Sequence, residues 1–244
     1  MRSYPRPTVS SLYVIAALAG LAVAGSPILA DEPARETDGL IQQVIAQTTR
    51  SGLAIRATRE MRAGTLSGKH QGWMTVQTSV TPSGAFSWNV VSQGGSNRTR
   101  EKVFHPVLNT EAASWRDGDR DAAALTPANY VFTRLPSSRP GQVQIQLKPR
   151  RRDSRLVDGI LTVNPDGYPL LLVGTLAKSP SFWVKSVRVV KRYGRFAGVA
   201  LPTMLESNAD LKMFGQSSFT MRYQYQEVNG RVLAPSSRTA ELTP

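Results

Sequence analysis

Apolar and polar residues alternate with a period of two through most of the chain, and this pattern predicts β-strands. Between positions 53 and 62, one face is apolar and consists of Leu53, Ile55, Ala57 and Met61, and the opposite face is basic and solvent-exposed. Similar runs predict strands near 72–80, 85–92, 142–148, 155–163, 168–178, 182–193, 199–207 and 217–227, with a short last strand after Asn229-Gly230. Turn-forming residues such as Asn164-Pro165-Asp166-Gly167 separate the runs.

Two segments have the different spacing of an amphipathic helix. In the first, Asp38 is placed to cap an apolar face that consists of Leu40, Ile41, Val44 and Ile45. In the second, between positions 98 and 116, the apolar stripe consists of Val103, Phe104, Val107, Leu108, Ala112 and Trp115. Pro106 lies inside this stripe, so the helix either starts or kinks there.

These elements predict a mainly β, α+β fold built on one large, curled antiparallel sheet. We expect roughly nine to eleven strands, with two or three helices that cover one face as a lid. A sheet of this width curls into an incomplete β-barrel, and its concave side can enclose an apolar hollow. No linker divides residues 31–244, so we expect them to form one domain.

The first part of the chain has the three-part pattern of a secretory signal peptide. Arg2 and Arg6 precede an apolar run over 12–24, and Ala30 is followed by the acidic Asp31. This run is shorter than the ~20 residues that a membrane-spanning helix needs. We therefore expect residues 1–30 to be cleaved and the protein to reach the periplasm. The sequence contains no Cys, so neither an N-terminal lipid anchor nor a disulfide is expected.

The charge balance is strongly basic, with 30 Lys and Arg against 17 Asp and Glu and a net charge of +13. The second half carries a basic patch that includes Arg150, Arg151, Arg152, Lys185, Arg188 and Arg192. Such a patch suits an anionic membrane surface or an acidic envelope partner protein, and it equally suits a solvated face that keeps a wide sheet soluble. Export and sparse aromatic residues argue against nucleic acid as the partner.

Several segments resemble the LolA/LolB-like family of periplasmic lipoprotein and lipid carriers. The segments that carry the resemblance are Gly159–Val163 with Gly174–Lys178, Leu201-Pro202, Leu205-Glu206-Ser207 with Ala209, and Phe214-Gly215. Residues 68–74 and Gly94-Gly95-Ser96 are similar less specifically. The resemblance implies an incomplete β-barrel with a helical lid and acyl chains bound inside. Related folds also serve as envelope-stress sensors.

The predicted acyl-chain cavity is lined by aromatic and soft apolar side chains, which make a dry wall without unsatisfied polar groups. These residues are Trp73, Phe86, Trp88, Leu161, Leu171, Trp183, Phe219, Met221 and Tyr223. The same residues would also fill an ordinary core. The expected function is a monomeric carrier or binding protein for lipid or lipoprotein acyl chains. The alternatives are an envelope sensor or assembly module that binds a protein partner, and a secreted hydrolase.

Catalytic and metal motifs are weak in this sequence. His70 and His105 belong to no nucleophile elbow and no zinc motif. Asp117-x-Asp119-x-Asp121 begins like a calcium loop, but Ala122 and Ala128 occupy the positions that need Gly and Glu. We therefore expect no enzymatic activity, no cofactor and no metal.

Overall fold

The computed structural model describes residues 39–49, 52–68, 70–116, 121–136, 139–213 and 215–234. The predicted signal peptide over 1–30, the polar arm over 31–37 and the helix cap Asp38 lie outside these ranges. The first two carboxylates of the Asp117-x-Asp119-x-Asp121 pattern also lie outside them.

The described chain forms eleven strands and two main helical segments. One helical segment precedes the first strand, and the other lies between the third and fourth strands. The strands are β1 (Ile55–Thr65), β2 (Gly72–Val80), β3 (Phe86–Gly95), β4 (Tyr130–Leu135), β5 (Val143–Pro149), β6 (Val157–Val163), β7 (Pro169–Leu176), β8 (Val184–Phe196), β9 (Val199–Leu211), β10 (Gly215–Val228) and β11 (Arg231–Val232). Helix α1 (Gly39–Thr48) precedes β1. Between β3 and β4 lie α2 (Asn97–Thr99), a π-helical turn (Arg100–Phe104) and α3 (His105–Arg116).

All strand pairs are antiparallel, and they form one 11-stranded sheet. Its order is β3-β2-β1-β10-β9-β8-β7-β6-β5-β4, with β11 paired to β10. Among the described residues, β3 and β4 are not paired with each other, so the sheet is curled but not closed into a barrel. The mainly β fold class with one wide antiparallel sheet is confirmed.

The helical segment between β3 and β4 connects the two edges of the sheet. The chain leaves the sheet at β3, passes through α2, the π-helical turn and α3, and re-enters the sheet at β4. We call residues 97–116 the lid. Its buried residues Val103, Phe104, Val107 and Leu108 belong to the same hydrophobic cluster as the inner-face residues of the sheet. The connection between the two edge strands therefore covers the concave face.

The predicted second helix is present, but it is not one regular helix. Ser96 caps its first turn through Thr99, whose backbone N–H lies 3.3 Å from the Ser96 Oγ. A π-helical turn follows, and α3 begins at His105, directly before Pro106. Proline fits the first turn of a helix, where its missing N–H costs nothing. The proline thus marks the start of α3 within a longer helical segment.

Strand β4 was not predicted from the sequence. Its six residues are mostly exposed or half-buried because it is an edge strand, and only Tyr130 is fully buried. Its hydrophobic pattern is correspondingly weak. The other strands lie where the alternation placed them, with ends shifted by a few residues.

Two glycines allow β6 and β7 to approach closely near the middle of the sheet. Gly159 pairs with Gly174 across these strands. A Cβ on Gly159 would lie 2.2 Å from the Val173 carbonyl oxygen, and one on Gly174 would lie 2.5 Å from the Asp158 carbonyl oxygen. Larger residues would force the strands apart at this position.

Candidate functional site

The inner face of the sheet forms a continuous apolar wall under the lid. One row of paired residues crosses eight strands, and every member is buried: Met74, Met61, Met221, Leu205, Lys191, Leu172, Leu161 and Ile145. Three neighbouring methionines occupy one end of this row. Methionine is flexible and polarisable, which suits a wall that adapts to ligands of different shape.

Six of the nine predicted cavity residues lie on this wall. Leu161, Phe219 and Met221 belong to its buried core, and Phe86, Trp88 and Tyr223 pack against that core while partly buried. The lid contacts them directly, since the Phe104 and Phe219 ring centroids lie 6.3 Å apart and those of Trp88 and His105 lie 5.6 Å apart. The structure thus brings these six residues together beneath the lid.

The other three predicted cavity residues, Trp73, Leu171 and Trp183, do not lie on the inner wall. Trp73 pairs with Arg62 on the outer face, next to the inward-facing Met74, and its exposure is 40%. Leu171 pairs with Thr162 and with the exposed Arg192, because the contiguous apolar run 170–173 places alternate residues on opposite faces. Trp183 lies in the turn before β8, where its carbonyl accepts a hydrogen bond from the Lys212 N–H at 2.9 Å.

A buried ion pair joins the lid to the wall. The Arg59 guanidinium, on the inner face of β1, donates two hydrogen bonds to the Glu111 carboxylate of α3, at 2.5 and 2.9 Å. A third, from its Nε, goes to the Thr78 hydroxyl at 3.1 Å. The Arg59 side chain also lies over the Phe86 and Tyr223 rings, 5.2 and 5.0 Å from their centroids. Because Arg59 and Glu111 are 6% and 2% exposed, this contact is shielded from water.

The electrostatics of Arg59 follow from this geometry. Burial by itself would lower the pKa of the Arg59 guanidinium, but the charge and hydrogen bonds of Glu111 more than offset this and raise the pKa. The Arg59 guanidinium therefore stays charged over the ordinary pH range. A charge pair held in this way is expensive to break, since removing one partner leaves the other buried without compensation.

Lys191 is a second buried cation on the same wall, with 8% exposure. It occupies the centre of the inner row, between Leu205 of β9 and Leu172 of β7. Its ammonium lies 5.4 Å from the Tyr193 ring centroid. Burial lowers the pKa of Lys191 to about 8, an effect that the Glu111 carboxylate opposes and the Arg59 charge reinforces. Lys191 therefore responds to the same ion pair that fastens the lid.

Two hydroxyl groups on this wall are buried without a hydrogen-bond partner among the described residues. They are the Tyr223 Oη and the Ser207 Oγ. Tyr223 packs on the Arg59 guanidinium, and Ser207 lies on β9, two residues from Leu205, the strand partner of Lys191. Burial raises the pKa of the Tyr223 hydroxyl, which stays protonated as a donor. We call Arg59, Thr78, Glu111, Lys191 and Tyr223 the interior polar cluster.

The charged members of this cluster were missed in the sequence, although the pattern contains them. Arg59 follows Ile55 and Ala57 at the same period of two, on the apolar face of the predicted strand. Lys191 follows Val187 and Val189 in the same way on β8. Glu111 lies in the apolar stripe of the lid helix. A charged residue at an apolar position is the signal that identifies such a site.

The predicted basic patch separates into two groups of exposed residues. Lys185, Arg188 and Arg192 lie at exposed positions of β8. Arg150 and Arg151 lie in the loop after β5 and hold the chain before β4, through hydrogen bonds to the Pro127 and Ala122 carbonyls at 2.7 Å each. Arg152 is exposed in the same loop.

Trp73 lines a groove on the outer face, with a volume of about 370 Å³. Its indole lies against Gly94 of β3, where a Cβ would lie 2.6 Å from the Trp73 Nε1. Arg62, Gln71 and Thr220 also line the groove. This groove has mixed polarity and is separate from the inner wall.

Neither histidine belongs to a catalytic arrangement in the described part of the chain. The His70 carbonyl accepts a hydrogen bond from the Thr99 hydroxyl and so ties the turn before β2 to the lid. The His105 Nδ1 lies 3.4 Å from the Glu101 carboxylate on the lid surface. Within the described residues, no three His, Asp or Glu side chains gather as a metal site would require.

Comparisons with known proteins give similarity in structure only. No protein-family model and no curated protein matches the sequence. A solved LolA superfamily protein from Nitrosomonas europaea is similar with a TM-score of 0.45 and 11% identity, over 80% of this chain and 94% of its own. A DUF1329 family protein from Desulfovibrio piger gives a TM-score of 0.39 and 9% identity, over 76% of this chain and 90% of its own.

Among the described residues, no helix combines the length and apolar character that crossing a membrane requires.

Proposed function

We propose that this protein is an exported periplasmic carrier that holds lipid or lipoprotein acyl chains between the inner wall of its open sheet and its lid. The observation that carries the proposal is the lid itself. It connects the two edge strands of the sheet across an apolar concave face, and it is fastened to that face by the buried Arg59–Glu111 ion pair.

The composition of the wall supports an acyl chain as the ligand. Its side chains are mainly aliphatic, methionine and aromatic, and apolar ligands bind in concave sites of this type. Displacing the lid would expose a continuous apolar surface, which an acyl chain could cover in place of Phe104, Val107 and Leu108. In this proposal the lid protects the wall from water whenever no ligand is bound.

The test is native mass spectrometry of the protein purified from the envelope fraction without detergent. We expect added phospholipid or acylated peptide to bind with defined stoichiometry. The variant Phe219→Ser, which adds a hydroxyl to the wall, should reduce the bound fraction. The matched control Phe182→Ser changes a phenylalanine that is 73% exposed in the turn before β8, and it should bind as the unmodified protein does.

A protein that folds but takes up neither ligand would contradict the carrier function. Stable capture of an envelope protein by such an acyl-free form would favour the sensor or assembly module instead. Retention of uptake in Phe219→Ser, with unchanged affinity, would place the ligand somewhere other than the inner wall.

A further inference from the structure

Lys191 has an unusual position in this fold. It occupies an inner-row position whose other members are all apolar, at the centre of the sheet and beneath the lid. Lysine is almost never fully buried unless its charge is paired, because taking an ammonium out of water costs several kcal/mol. An apolar residue here would complete the wall at no such cost.

The charges around Lys191 favour an anion. Among the described residues that are buried, the charged side chains are Arg59, Lys191 and Glu111, which are two cations and one carboxylate. Both oxygens of Glu111 already accept hydrogen bonds from Arg59. An ammonium has three donors and can hold several acceptors at once, so Lys191 can add a ligand oxygen to the contacts it already makes.

A hydroxyl group with an unused donor completes the arrangement. The Tyr223 Oη is buried and lacks a hydrogen-bond partner within the described chain. Tyr223 packs on Arg59, and it lies on the same side of the inner row as Tyr193, whose ring is 5.4 Å from the Lys191 ammonium. A buried hydroxyl without a partner is costly, and a ligand carboxylate, which only accepts hydrogen bonds, would satisfy it.

We propose that the interior polar cluster binds the carboxylate of a long-chain fatty acid, with Lys191 as its principal cationic contact. This inference rests on the proposed acyl-chain function and specifies the ligand class. A carboxylate carries one negative charge, which matches the excess of one cation among the buried described residues. A phosphate monoester carries roughly −1.5 to −2 and is bulkier, so it fits this enclosed position less well.

The test compares two ligands with the same chain, oleate and oleyl alcohol, by isothermal titration calorimetry at pH 7. We expect oleate to bind about ten-fold more tightly than the alcohol, which corresponds to one charge-assisted contact. In Lys191→Met this preference should disappear while binding of the alcohol is retained. Lys185→Met is the matched control, since Lys185 is exposed on the same strand, and it should keep the preference.

Tyr223→Phe provides a second, independent variant, because it deletes one hydroxyl and leaves the ring in place. It should weaken oleate and leave the alcohol unchanged, and it keeps the proposal testable if Lys191→Met does not fold. Equal affinity for both ligands in the unmodified protein would overturn the fatty-acid proposal and leave the carrier function standing. So would a preference for oleate that survives in Lys191→Met or, if that variant does not fold, in Tyr223→Phe. If neither ligand binds, the fatty-acid proposal fails, and the uptake of phospholipid or acylated peptide decides the carrier function separately.

Discussion

At the scale of single residues, the Arg59–Glu111 pair decides how firmly the lid is held. Glu111→Leu would leave the Arg59 guanidinium buried without its carboxylate, and we expect the free energy of unfolding to fall by about 3–5 kcal/mol. The double variant Arg59→Met/Glu111→Leu should recover most of this loss, because two apolar side chains then replace two desolvated charges. Urea unfolding of the four proteins of this cycle measures the coupling.

A surface pair provides the control for that cycle. Arg56 and Glu227 are 2.8 Å apart, but their side chains are 50% and 31% exposed. Glu227→Gln should therefore cost less than about 1 kcal/mol. If the Arg59→Met/Glu111→Leu protein were as unstable as the single Glu111→Leu variant, packing rather than charge would explain the effect.

The pH dependence of stability reports on Lys191. Because its pKa in the folded protein is about 8, below the ordinary 10.5, the unfolded chain binds more protons between these two values. Stability attributable to Lys191 therefore rises with pH across this window, by up to about 3 kcal/mol. Glu111, Arg59 and Tyr193 face this ammonium and set the size of the effect.

Comparison with Lys191→Met isolates this contribution. Urea unfolding at pH 8 and pH 10 measures the free energy of unfolding of both proteins. The stability of the unmodified protein relative to Lys191→Met should be greater at pH 10 than at pH 8. Burial raises the pKa values of Tyr193, Tyr223 and Tyr225, so these groups lower stability above pH 10 in both proteins and cancel in the difference. A difference that does not change with pH would contradict the depressed pKa.

The interior polar cluster could be predicted from the sequence only in part. The period of two places Arg59 and Lys191 on apolar faces, which identifies them as unusual. The sequence does not show what they contact, because Glu111 is 52 residues from Arg59 and comes from a different element. Likewise, Leu171 belongs to a contiguous apolar run, where alternation alone cannot assign a face.

At the scale of elements, the strands were predictable and the lid was predictable only in outline. The strands have strong alternation and clear turns between them, except for β4, whose edge position weakens its pattern. The lid has a helical stripe, but its π-helical turn depends on how the segment must cross from one sheet edge to the other. That path is set by the tertiary structure, so the local sequence pattern does not predict it.

Hydrogen exchange should show the lid opening independently of the sheet. We expect amides of α3 to exchange faster than those of β9 and β10, because the lid is connected to the sheet by side-chain contacts rather than by strand pairing. Glu111→Gln should accelerate exchange in α3 by a larger factor than in β9, where exchange changes only as far as global stability falls. Glu101→Gln, which alters only the partly exposed contact with His105 on the same lid, is the control and should change neither.

That comparison separates local from global opening. If Glu111→Gln accelerated exchange in α3 and β9 to the same extent, the lid would open only when the whole protein unfolds. A lid of that kind could not open to admit a ligand while the sheet stays folded. This result would contradict the proposed entry of the ligand by lid opening.

At the scale of the whole molecule, the question is where its net charge of +13 acts. The described structure places Lys185, Arg188 and Arg192 at exposed positions of β8, whereas Arg150 and Arg151 hold a loop through backbone carbonyls. If the β8 group contacts anionic headgroups, each charge contributes about 1 kcal/mol. Neutralising all three to Gln should then weaken binding to vesicles rich in phosphatidylglycerol by about 100-fold.

Co-sedimentation with such vesicles measures this, and binding should also fall steeply with salt because the contact is a surface one. Replacing Arg62 and Arg222, which flank Thr220 on the outer face near the Trp73 groove, removes charge away from β8 and serves as the comparison. Equal losses per charge removed in the two variants would mean that the membrane responds to total charge rather than to a patch. If the β8 variant bound vesicles as tightly as the unmodified protein, these residues would serve solubility. Lipid would then have to reach the lid without an electrostatic contact between β8 and the membrane.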